Sequence, residues 1–220
     1  MASYFYAGFV PTLLRALLVI QVLEFSHSKA STNCIGAERE AILNFKRRLT
    51  KPSRHLLSWT GDHCCKWEGV KSSEEIGHVS KLHLRNPCDG LEKCGLRDLS
   101  SNALDALISE GLTRLARLQN LNLSRKNLIG KIPSDIGDLR HLESLDLSKN
   151  KLLGEIPPSI SNSDFLGRLE ISFTDLLGLA PSGSHLSTLE DQSVFRGNDG
   201  LCGAPLVKVC PRDDHNKMDR

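Results

Sequence analysis

A spacing of 24 residues governs the middle of this 220-residue chain. Leu118, Leu121, Leu123, Leu128, Gly130, Ile132 and Pro133 recur as Leu142, Leu145, Leu147, Leu152, Gly154, Ile156 and Pro157. They recur again as Leu166, Leu169, Ile171, Leu176, Gly178, Ala180 and Pro181. A degraded copy runs ahead of them through Cys94, Arg97, Leu99, Leu104, Ala106, Ile108 and Ser109. Glycine and proline at constant offsets exclude a set of leucine-rich amphipathic helices, because both residues break helix interiors. Each Leu-x-Leu pair alternates as a short strand, with both leucines inward and the residue between them outward. One such unit cannot enclose its own leucines, so it must stack on its neighbours and needs a cap at each end. The composition agrees: 24 of the 37 leucines lie between Leu91 and Leu189, and aromatic residues make up only 5% of the chain.

The spacing L-x-x-L-x-L-x-x-N-x-L is that of a leucine-rich repeat. The expected fold is α/β, a short right-handed solenoid with parallel strands on its concave face and disulfide-stabilised caps. The Asn slot after each strand holds Asn102 and Asn150, whose amides can satisfy turn backbone groups, but Lys126 and Thr174 in the other copies. Lysine accepts no hydrogen bond, so the Lys126 rung is expected to be weaker unless Asn127 replaces it by a local shift. The expected division is a signal peptide at 1–30, an N-terminal cap at 31–90, four repeats at 91–186, and a closing cap and tail at 187–220.

Arg15 precedes an apolar run, Ala16 to Leu23, too short to span a bilayer, and Ser28 and Ala30 suit a signal peptidase. Cleavage after Ala30 would leave a secreted chain with no membrane span, in an oxidising space where seven cysteines can pair. A net charge of +2 argues against nucleic-acid binding. Glu38 to Leu49 sets Ala41, Ile42, Phe45 and Leu49 on one helical face.

Residues 34 to 84 resemble the N-terminal cap of plant leucine-rich-repeat receptor-like proteins, through Glu38-Arg39, Phe45-Lys46, Trp59, Cys64-Cys65, Trp67, Gly69-Val70 and Gly77-His78-Val79. Gly130-Lys131-Ile132-Pro133 and Gly154-Glu155-Ile156-Pro157 match the plant-type L-x-G-x-I-P signature, and Pro181 to Cys210 resembles the closing cap of the xylanase-elicitor-receptor-like group. The resemblance implies a Cys34–Cys64 disulfide and pairs the second cysteine of the doublet with one that is Ser72 here, leaving Cys65 over. Cys202–Cys210 and Cys88–Cys94 are the other expected disulfides, with Cys65 open to exchange with Cys88 or Cys94. It further implies an extracellular protein or peptide ligand, with a co-receptor kinase as a possible partner, and a plasma-membrane location where the family's anchor is present. Family members carry many more repeats than this chain.

No enzyme motif is present, and adjacent Cys64 and Cys65 suit a cap disulfide better than a metal, so neither catalysis nor a cofactor is expected. The outward strand positions offer a binding face instead. One column is Asp98, Asn122, Asp146 and Glu170, with Ser124 and Ser148 beyond it; Asn120 and Arg168 flank one side, and Arg125, Lys149 and Phe173 the other. Asn122-Leu123-Ser124 is an N-glycosylation acceptor on this face. The competing readings are a soluble inhibitor of a wall-degrading enzyme, similar to the polygalacturonase inhibitors, and a truncated relic.

Overall fold

The computed structural model describes residues 34–49, 54–73, 77–84, 107–181 and 191–211. The expected signal peptide, Cys88, Cys94 and Asp98 lie outside them. Helix α1, Gly36–Arg48, opens the cap with Glu38 in its first turn and Lys46, Arg47 and Arg48 in its last, the arrangement its dipole favours. Its inner face buries Ala41, Ile42 and Phe45, as the spacing predicts. Buried Glu38 belongs to that face too: Oε1 lies 2.7 Å from His78 Nδ1, and Oε2 accepts the Val79 amide at 2.7 Å. One carboxylate therefore ties the helix to the first long strand.

Beneath the helix, Trp59 and Trp67 stack with centroids 5.7 Å apart. Their indole N–H groups donate to the Glu68 and Thr60 carbonyls, both at 2.9 Å, so the rings are buried without an orphaned donor. The Cys34–Cys64 disulfide closes the cap, with Cα atoms 5.6 Å apart. Cys65 is free and half-buried, its Sγ 3.4 Å from that of Cys34.

Strands β1 (Val70–Ser72) and β2 (Val79–His83) form an antiparallel hairpin, and β2 starts a parallel sheet that continues through β3 (Asn120–Asn122), β5 (Ser144–Asp146) and β7 (Arg168–Glu170). Leu121 stands opposite Leu145, and Leu145 opposite Leu169, so the sequence period is the sheet register. The cap differs from the expected pattern. Lys81, Leu82 and His83 pair directly with Asn120, Leu121 and Asn122. Strand β2 thus occupies the place beside β3 that the first degraded repeat was expected to take, and of that repeat Leu107 to Arg114 are described.

A second parallel sheet, β4 (Ile129–Gly130), β6 (Lys151–Glu155), β8 (Asp175–Leu179) and β9 (Gly200–Cys202), runs behind the first. Here Ile129 faces Lys151 and Leu153 faces Asp175, an offset two residues shorter than the repeat. Between β4, β6 and β8 this even slip keeps each side chain on its own side of the sheet, while β8 and β9 pair one position off the repeat, Leu177 opposite Gly200. Gly154 sits within β6 at φ of 85°, which a Cβ would strain. Single 3-10 turns such as Pro158–Asn162 link the sheets and bury Ile160.

The Asn slot works between repeats. Asn150 Oδ1 accepts the backbone amides of Lys126 and Leu128, both at 3.0 Å, while its Nδ2 donates to Leu123 O and Leu147 O. The following repeat therefore satisfies the backbone amides of the Lys126 rung, and Lys126 itself is 1% exposed. Asn198 repeats the arrangement. Its Oδ1 accepts from Leu176 N and lies 2.5 Å from the Thr174 hydroxyl, and its Nδ2 donates to Ile171 O and Phe195 O. The closing cap is thus a further rung of the ladder, fastened by Cys202–Cys210.

Candidate concave binding face

The five strands β1, β2, β3, β5 and β7 lie side by side. At about 4.8 Å per strand they present a face roughly 20 Å across. A groove of about 520 Å³ crosses it, lined at the cap end by Lys71, Lys81 and His83 and at the other by Asp146 and Arg168. Asn120, Asn122 and Ser144 form its floor. The face is basic at one end and carries its carboxylates, Asp146 and Glu170, at the other.

The polar column is internally tied. Asn122 Nδ2 donates to Asp146 Oδ2 at 2.8 Å, and Asn122 Oδ1 accepts from both the amide and the hydroxyl of Ser124. Asp146 Oδ1 repeats this with Ser148, at 3.1 and 2.7 Å. Each side chain caps the backbone two residues on, so the column is held in place before any partner arrives, which lowers the ordering entropy of association. Arg168 and Glu170 approach to 3.8 Å on the last strand.

Asn120, Asn122, Asp146, Arg168 and Glu170 all belong to this sheet. Ser124 is a correction. It is 2% exposed with its hydroxyl committed to Asn122, so it positions the face without belonging to its surface. Ser148 is half-buried in the same role. Arg125, Lys149 and Phe173 stand where the strands end, each exposed and each in left-handed backbone with φ of 58°, 56° and 56°. The glycosylation acceptor Asn122 offers an amide nitrogen already bonded to Asp146, at the centre of the groove lining.

Residues 35–71 match the leucine rich repeat N-terminal domain, and residues 117–139 and 141–163 match the leucine rich repeat. Over 160 residues the chain is 36% identical to receptor-like protein EIX1 of Solanum lycopersicum, a match covering 60% of this chain and 16% of that one. The chain is similar to the plant leucine-rich-repeat receptor-like proteins. Its solved likenesses agree. The BIR2 ectodomain of Arabidopsis thaliana matches at TM-score 0.51 and 26% identity, over 79% of this chain and 98% of that one. A chain of the BIR3–SERK2 complex from Arabidopsis thaliana matches at TM-score 0.52 and 29% identity, over 78% and 98%. The chain spans 16%, 12% and 15% of the length of receptor-like proteins EIX1, EIX2 and 30.

Sequence reasoning missed one row of the face. Arg117, His141 and Phe165 also recur at the repeat spacing, on the side where the chain enters each strand. Their signal was in the period, but three unlike side chains do not announce a column. Among the described residues no helix is long and apolar enough to cross a membrane.

Proposed function

We propose that this chain is an extracellular recognition module that binds a protein or peptide through its concave sheet and carries out no chemistry of its own. The observation that supports it is the tied Asn122–Asp146 column beside exposed cations. Such a face is a pre-ordered, charge-patterned surface without a poised nucleophile or acid–base pair. A chain of the same fold from the BIR3–SERK2 complex makes a co-receptor kinase ectodomain the first partner to test. The face is small, at the lower end of specific interfaces, which suits association with one domain better than capture of a large ligand alone.

The test is calorimetric titration of the secreted chain with a SERK1 or SERK2 ectodomain, and separately with a fungal polygalacturonase. Saturable binding to the kinase ectodomain, slowed by Arg125→Glu with Lys149→Glu, is the expected result. Binding to the polygalacturonase alone would overturn this reading in favour of an inhibitor.

A further inference from the structure

Two exposed rows border the concave sheet, one on each edge, and both end in phenylalanine at the same repeat. On the entry edge Arg117 Nη1 lies 3.1 Å from His141 Nε2, and the His141 ring stacks on Phe165 at 6.3 Å and 15°. On the exit edge Lys149 Nζ and Arg196 Cζ lie 5.8 and 5.9 Å from the centre of the Phe173 ring. Phe165 is 63% exposed and Phe173 47%, and they bracket strand β7 with Arg168 and Glu170 between them.

Neither ring contributes to the core, whose leucine columns are complete without them. Phe173 is also held at a conformational cost. A bulky side chain with φ near 56° is a genuine outlier, and strain of this kind persists only where the surroundings over-determine it. Those surroundings are specific. One repeat on, the same turn carries Gly197, where a Cβ would come within 2.8 Å of the Phe173 ring. The chain therefore leaves room for a ring that it then exposes to solvent between two cations.

We infer that the β7 rung is the anchoring point of the docking face: Phe165 and Phe173 enter two apolar pockets on one folded protein, and the cations beside them meet an acidic rim. This rests on the recognition reading above and names its partner's chemistry. Phenylalanine and arginine are enriched at the cores of protein interfaces, where a few well-packed residues carry most of the binding energy. The charges that touch the rows are cationic, with Arg117 on one edge and Lys149 and Arg196 on the other, so electrostatic complementarity asks for carboxylates opposite. A second copy docked β7 rung to β7 rung would set these cationic rows against each other, whereas a partner with an acidic rim would not.

The experiment titrates a SERK1 ectodomain against the wild-type chain, Phe165→Ala, Phe173→Ala, the double variant, and Leu179→Ala as an exposed apolar control on the second sheet. The expected result is at least tenfold weaker binding for each phenylalanine variant, no measurable binding for the double variant, and no change for Leu179→Ala. Wild-type affinity should also fall as salt rises from about 50 to 500 mM. Thermal unfolding of the variants should match the wild type, since both rings are exposed. If the double variant binds within threefold of the wild type, the anchor assignment is wrong while the recognition reading stands. If the wild type does not bind SERK1 at all, both fall. Concentration-dependent dimerisation abolished by the double variant would replace the acidic partner with a second copy and overturn the proposal.

Discussion

The N-terminal cap and the repeat stack enclose their apolar side chains by opposite means. The cap is built from contacts that occur once: the Trp59–Trp67 stack, the Glu38 carboxylate between His78 and Val79, and the Cys34–Cys64 disulfide. The stack is built from contacts that recur, Leu121 on Leu145 on Leu169, with an asparagine bridging each pair of turns it serves. A once-only contact has no neighbour to share its loss. A repeated contact does, because stability in a solenoid is close to a sum over units and their interfaces.

The sharpest way to break this contrast is Trp59→Ala. It removes a ring that is 1% exposed and leaves its stacking partner over a void. We expect a loss of about 3–5 kcal/mol, with the cap unfolding as one unit. Urea titration followed by Trp67 fluorescence checks it, and a broad, gradual transition would contradict it.

Next come the disulfides. Cys34–Cys64 closes a segment of 30 residues and Cys202–Cys210 one of 8. On loop entropy, Cys64→Ser should cost about 1 kcal/mol more than Cys210→Ser, within a typical range of about 2–5 kcal/mol for small secreted domains. Denaturant midpoints of the two variants decide it, and equal losses would show that strain or residual structure outweighs loop length.

Asn150→Ala tests the stack itself. It orphans the buried Lys126 and Leu128 amides, for an expected loss of about 2–3 kcal/mol. That loss should appear as faster hydrogen exchange at those two amides, with cap exchange unchanged. Exchange rising equally in cap and stack would mean that the two regions are not energetically separate.

The smallest effect concerns Asp191, whose carboxylate accepts from the Ser193 side chain and amide at the start of the Gln192–Phe195 turn. The Ser193 hydroxyl and amide hold its pKa below the ordinary aspartate value. A lowered folded pKa contributes stability that is present above the unfolded pKa and lost as pH falls through the folded one. Acidification should therefore loosen that turn before the rest of the stack, visible as early amide broadening at Ser193, and Asp191→Asn should flatten the response.

Legibility in the sequence divides along the same line. The leucine columns were read directly because one side chain recurs in one place, and the sheet register is the sequence period. The Cys34–Cys64 pairing came from resemblance and is present. The second sheet was not read, because its strands pair one or two positions off the repeat and carry mixed residues such as Leu153, Gly154 and Glu155. Nor was the rung at Asn198. The repeat spacing points to it, but the leucines that mark the earlier rungs do not accompany it. On the face, the outward column was legible from alternation, whereas the inward turn of Ser124 depends on a hydrogen bond that alternation does not encode.

Asn150 and Asn198 each reach back to amides of the preceding turn, and this gives the ladder a direction. Each such turn depends on its successor in the chain for its buried hydrogen bonds. Loss of the closing cap therefore leaves the Thr174 turn unsatisfied first, while the Lys126 turn keeps Asn150. The solenoid behaves as a zip with one free end. Fraying, proteolytic trimming and exchange should advance from the carboxyl terminus toward the cap, reaching the phenylalanine-bearing rung before any other.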